Sequence, residues 1–77
     1  MNHITLNNLN PGEKAKIKSI DLSGTIKRRL IDLGLINDTI VECIGKSPMG
    51  DPKAFLIRGA VIAIRSDDSS KIIVEKL

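Results

Sequence analysis

The chain has 77 residues, with 12 Lys plus Arg against 9 Asp plus Glu for a formal net charge of +3, so it has room for one small hydrophobic core and not for two. Hydrophobic residues at 42% and charged residues at 27% exclude a disordered tail, and a pI near 9.3 is too mildly basic to announce nucleic-acid binding. A lone cysteine, Cys43, excludes an internal disulfide, and one His with one Cys exclude a tetrahedral zinc site.

The N-terminal stretch, Met1 to Leu6, has neither a basic region nor an apolar region of the leader-peptide kind, so no signal peptide is expected. No apolar run approaches the ~20 residues of a membrane span. A reducing, cytoplasmic setting without direct membrane insertion is the expectation. His3 is expected at a frayed, solvated end. Asn7-Asn8-Leu9-Asn10-Pro11-Gly12 reads as a turn, because Pro presets φ and the Asn side chains compete for backbone bonds. Lys14, Lys16 and Lys18 then alternate with Ala15 and Ile17, which is the period of a half-buried strand at about 14–20.

Asp21 or Ser23 is placed to cap a helix over 24–33. Ile26, Leu30 and Leu33 share its apolar face, while Lys27, Arg28 and Asp32 point away. Arg28 and Asp32 are spaced for an i,i+4 ion pair worth only ~0.3–0.5 kcal/mol. Gly34 followed by Leu35 predicts a Schellman stop, with Leu35 packing back on Leu30. After an Asn37-Asp38 turn, residues 39–44 read as a strand apolar on both faces, and hence well buried. Residues 47–52 form a rigid loop with two prolines, a glycine and an exposed Met49. Residues 54–58 and 60–65 read as strands broken by a bulge or tight bend at Gly59. Residues 66–70 read as a polar turn or a single helical turn, and residues 72–75 as a last strand.

The core these elements enclose has to be aliphatic, since Phe55 is the only aromatic residue. Isoleucine, from Ile4 to Ile73, is expected to carry most of it, and its stiff χ1 favours strands. The fold class that follows is mainly β: about five short strands closed into a small barrel, which leaves no sticky edges, with one inserted helix at about 24–33.

Catalysis finds no residues to work with. There is no nucleophile elbow, phosphate-binding glycine loop or His-containing pair, so no enzyme activity is expected. Asp67-Asp68 is adjacent, which makes the carboxylates diverge, and Asp51 has no second ligand nearby. Cys43 lies in the most apolar strand, where a thiol is ordinarily inert. The basic residues are more informative. Lys14, Lys16 and Lys18 suit a solvated strand face. Lys27, Arg28 and Arg29 crowd a helix start, where each positive charge opposes the macrodipole by roughly 0.3–1 kcal/mol. That arrangement points to contact with an acidic partner surface. Stacking of single-stranded nucleic acid needs an aromatic platform that one Phe cannot build, so no nucleic-acid partner is expected.

Two stretches are more specific than these generic patterns. Arg28-Arg29-Leu30-Ile31-Asp32-Leu33-Gly34-Leu35 resembles the Arg-Arg-Leu-x-Asp-Leu-Gly-Leu signature of FeoA-like proteins, and Ser47-Pro48-Met49-Gly50-Asp51-Pro52 resembles that family's Pro-Leu-Gly-Asp-Pro loop. Ile57-Arg58-Gly59, Ile62-Ala63-Ile64-Arg65 and Ile72-Ile73-Val74 look like its closing strands, so the resemblance spans the whole chain as one domain over residues 1–77. The chain departs from the family pattern at Asn37-Asp38, where Pro-Gly is common, and at Ser69, where Ala is common.

The resemblance implies an SH3-like barrel with an inserted helix, of the kind also found at the C-terminus of repressors of the diphtheria-toxin-repressor type. It implies an accessory role in bacterial ferrous-iron uptake, regulating the transporter FeoB through its cytoplasmic GTPase domain. The alternative it carries is a stand-alone domain that binds or senses a transition metal. The residues expected at the partner contact are Lys27, Arg28, Arg29, Pro48, Met49, Gly50, Asp51 and Pro52. No metal ligand is assigned and no cofactor is firmly implied. Weak binding of Fe2+ or another divalent transition metal, and weak homo-oligomerisation, stay open.

Overall fold

The computed structural model describes residues 3–77, so the first two residues of the stretch read as leaderless lie outside the described residues. The elements in chain order are strand β1 (His3–Thr5), a 3-10 turn (Leu6–Asn8), β2 (Lys14–Ile20), helix α1 (Gly24–Asp32), β3 (Ile40–Lys46), β4 (Lys53–Ile57), β5 (Ala60–Ile64), the single-turn helix α2 (Ser66–Ser69) and β6 (Ile72–Lys76). The strands form one six-stranded antiparallel sheet in the order β1-β6-β2-β3-β4-β5.

Two expectations fail here. There are six strands rather than about five, because His3–Thr5 is no frayed end: it pairs with β6, His3 opposite Glu75 and Thr5 opposite Ile73. Three residues are too few to show a periodicity. The sheet also does not close, since β1 and β5 remain its two edges.

Local chemistry accounts for most of the elements. In β2 the lysines alternate with Ala15 and Ile17, both fully buried. Helix α1 ends as the Gly34-Leu35 pair predicts: Gly34 N–H donates to Ile31 O at 2.9 Å and Leu35 N–H to Leu30 O at 2.9 Å, a Schellman motif with Gly34 at φ +104°. Its start is less well served. Ser23 occupies the N-cap but makes no side-chain capping bond, and the N–H of Asp21 donates instead to Lys71 O at 2.8 Å. The break at Gly59 is a tight two-residue hairpin, not a bulge. Arg58 at φ 50° and Gly59 at φ 83° give the left-handed pair that matches strand twist. Irregular registers fall elsewhere, between Ile17 and Ser19 and between Cys43 and Gly45.

The core sits on one face of the curved sheet, beneath α1. Leucine contributes as many buried side chains as isoleucine: Leu6, Leu9, Leu22, Leu30 and Leu35 against Ile17, Ile57, Ile62, Ile64 and Ile72. The expected isoleucine dominance therefore does not hold. Leucines in the turns and the helix fill the space above the sheet, while Ile31, Ile36, Ile40 and Ile44 are exposed. Strand β3 is accordingly half-buried, not buried on both faces: Val41 and Cys43 face inward and Ile40 and Ile44 outward.

Side-chain links tie the ends of the sheet together. The Lys53 ammonium, at the start of β4, donates to Asn7 O at 2.6 Å and Leu9 O at 3.0 Å, holding the N-terminal turn against the sheet. Among the described residues the ion pairs are Lys18 with Asp38 and Glu75, at 3.5 and 3.4 Å, and Lys76 with Glu13. The pair expected between Arg28 and Asp32 does not form. Both residues are exposed, and the gain in water is too small to hold two long side chains in place.

The bond from Lys76 holds the Glu13 carboxyl below its ordinary value of 4.5, helped by the Asn10 N–H at 2.8 Å. A depressed carboxyl adds stability above its unfolded pKa and loses it as pH falls through the folded one. The urea midpoint of the wild type is therefore expected to exceed that of Glu13→Gln at pH 7. The gap should shrink as pH falls below 4.5, as a denaturation series from pH 7 to 3 would read.

Candidate functional site

Apart from Lys27, the residues marked for partner contact lie on two surfaces. Lys27, Arg28 and Arg29 are consecutive on α1, and all three are exposed, but Lys27 lines a different hollow, with Ile20, Ile31 and Leu35. Only Leu30 of that helix is fully withdrawn into the core. Among the described residues none of the three cations has a carboxylate within ion-pair distance. Arg28 and Arg29, with Thr25, Asp32 and Leu33, surround an open hollow of about 350 Å³. An uncommitted guanidinium on a rigid helix can make paired bonds to a partner's carboxylate with little loss of freedom.

The second surface is the loop between β3 and β4. Its conformation is fixed from within. Gly50 N–H donates to Ser47 O at 2.8 Å, Ser47 N–H to Pro52 O at 3.0 Å and Ser47 Oγ to Asp51 O at 2.7 Å. Met49 stands at the tip, 91% exposed. A fixed loop that presents a long apolar side chain to water is well suited to contact. Pro48 is exposed beside it, whereas Gly50 and Pro52 are half-buried.

Asp51 differs from its neighbours in the loop. One carboxylate oxygen accepts from Ser66 N–H at 2.8 Å and the other from Ser66 Oγ at 3.3 Å. The side chain thus caps the start of α2 from fifteen residues away, a task that Arg65 at the N-cap does not perform. Nothing in the spacing of Asp51 and Ser66 signals this link. Asp51→Ala is expected to lower stability by about 1–2 kcal/mol, read from urea unfolding, with Asp51→Asn losing less because its amide oxygen can still accept from Ser66 N–H.

The two surfaces approach each other around Ile64. That side chain lines the hollow beside Met49, Gly50 and Asp51, and also the hollow beside Arg29 and Leu30. Arg65, which sequence reasoning treated only as part of a strand, stands next to it and adds an exposed cation.

The donor set does not fit a resident metal. Among the described residues no group of three His, Cys, Asp or Glu side chains could hold an ion. Cys43 is buried, with its Sγ 3.7 Å from Gly45 O, and Asp51 is committed to Ser66. Among the described residues no helix is long and apolar enough to cross a membrane.

Comparison with known proteins joins these features. A family model described as the FeoA domain matches residues 4–76. A curated relative from Porphyromonas gingivalis (strain ATCC BAA-308 / W83), an Fe(2+) transport protein A/Fe(2+) transporter FeoB fusion protein, is 26% identical over 70 residues. That match takes in 91% of this chain but only 8% of the relative's length. The solution structure of FeoA from Chlorobium tepidum superposes with a TM-score of 0.90 at 28% identity, covering 96% of this chain and 70% of that one. FeoA of Stenotrophomonas maltophilia, a procaryotic SH3 domain protein in complex with zinc, gives 0.81 at 28% identity over 94% and 89%. A manganese-dependent transcriptional repressor gives 0.85 at 18% identity over 100% of this chain and 38% of its own, a likeness of fold alone. The arrangement of six strands and an inserted helix is thus an SH3-like fold, and the chain belongs to the FeoA domain family.

Proposed function

We propose that this chain is a cytoplasmic, non-enzymatic accessory protein of ferrous-iron uptake that docks on the cytoplasmic GTPase domain of FeoB and regulates it. The observation that carries this reading is the Porphyromonas gingivalis relative, in which a matching segment and FeoB belong to one polypeptide. Covalent linkage keeps two modules at high effective concentration, an arrangement useful when they work together. The exposed Arg28 and Arg29 on α1 and the fixed loop with Met49 at its tip are the contact surfaces in this reading. The whole chain, residues 1–77, acts as one docking unit.

Calorimetric titration of the chain into the isolated cytoplasmic domain of FeoB tests the reading. Binding is expected, and the double variant Arg28→Glu/Arg29→Glu is expected to weaken it at least tenfold while its circular dichroism stays that of the wild type. Charge reversal both removes the paired bonds and adds repulsion. Absence of binding at ~100 μM, a generous limit for a weak contact, would overturn it.

A further inference from the structure

Strand β5 is an edge of the sheet and pairs only with β4. The hairpin closes at Ile57 and Ala60, so hydrogen-bonded pairs recur at Ile62 and Ile64. Val61 and Ala63 therefore turn their backbone N–H and C=O away from β4. Among the described residues no backbone or side-chain group elsewhere in the chain bonds to them. Alongside runs a groove of about 180 Å³, walled by Ala63 and Arg65 on one side and by Ile26, Arg29 and Leu30 of α1 on the other. The floor is aliphatic, the strand side offers unpaired backbone groups, and two exposed guanidinium groups stand over it against the single carboxylate of Asp68.

We propose that this groove takes up an extended, acidic segment of a partner protein by strand addition to β5. Backbone bonds to Val61 and Ala63 supply the pairing, aliphatic side chains of the segment meet the half-buried Ile26, and its carboxylates meet Arg29 and Arg65. Charge decides the occupant. Antiparallel self-pairing of β5 centred on Ile62 sets Arg65 of one copy beside Arg58 and Gly59 of the other, and like charges placed so close oppose the contact. An acidic strand has no such conflict. The groove shares Arg29 with the docking reading but does not rest on it, since its test needs no FeoB domain.

The probe is a capped hexapeptide of alternating Val and Glu, titrated into the 15N-labelled chain. The Val61 and Ala63 amide signals are expected to move with saturation in the millimolar range. A Val and Lys peptide, or the acidic peptide N-methylated at alternate residues, should leave them in place. Ala63→Pro, which removes an outward N–H and spares the ladder, should abolish the response. Arg29→Glu/Arg65→Glu, a surface change that keeps the strand, should weaken it at least tenfold. Three results would overturn the proposal: no movement at about 1 mM peptide, equal response to the basic peptide, or peptide-free shifts that grow with protein concentration and so mark a second copy as the occupant.

Discussion

Replacing Phe55 with alanine is expected to leave the chain largely unfolded at 25 °C. Phe55 is the only aromatic residue and is fully buried at the middle of β4. It lies opposite Cys43 on one side and Ile62 on the other, so its ring joins three adjacent strands. Truncating a buried Phe to Ala costs about 3–5 kcal/mol through lost transfer energy and the cavity left behind. At roughly 0.05–0.15 kcal/mol per residue, a chain of this length holds only about 4–12 kcal/mol in total, and domains this small tend to the lower end. Loss of chemical-shift dispersion and a flattened urea transition would show it. Phe55→Leu leaves a smaller void and should stay folded, about 1–2 kcal/mol below the wild type; a cooperative Phe55→Ala transition at the wild-type midpoint would contradict the account.

Gly34→Val is expected to be the next most damaging change, and it acts through the backbone. Gly34 holds φ at +104° to close the Schellman turn. A side chain in that region costs about 1–3 kcal/mol, and a β-branched one is especially ill suited to it. Space is short as well. A Cβ at this position would lie 2.6 Å from Cδ of Arg58. Arg58 can swing aside, but it would then lose its place at the C-terminal end of α1, where a cation is favoured. A fall in thermal midpoint, with a change in the Arg58 signals, is the expected reading. An unchanged midpoint would mean that the helix stop does not depend on glycine.

What the sequence makes legible follows from how local each signal is. The β2 alternation, the α1 face and the Gly34-Leu35 stop are each written within a few neighbouring residues, and the structure has them within a residue or so of where the pattern puts them. His3–Thr5 is invisible because its strand state comes from β6, some seventy positions away. The open sheet is invisible for the same reason: strand count and apolarity do not say whether the first and last ladders meet. The burial of β3 is misjudged because Ile40 and Ile44 look like core residues, although the pleat sends them outward. At the candidate site, exposure of Arg28, Arg29 and Met49 is readable from helix phase and loop composition. The Asp51–Ser66 cap and the open flank of β5 are not, because both arise only once distant segments are side by side.

The pairing of β1 with β6 has a topological consequence. His3 lies directly across from Glu75, so the first and last strands run side by side at one rim, about one strand spacing apart. A bridge of a few residues would join them into a ring. Such a ring could be reopened at the 48–50 tip, giving a circular permutant with the same ladders in a different order. It also means that flanking polypeptide can enter and leave at one rim of the sheet.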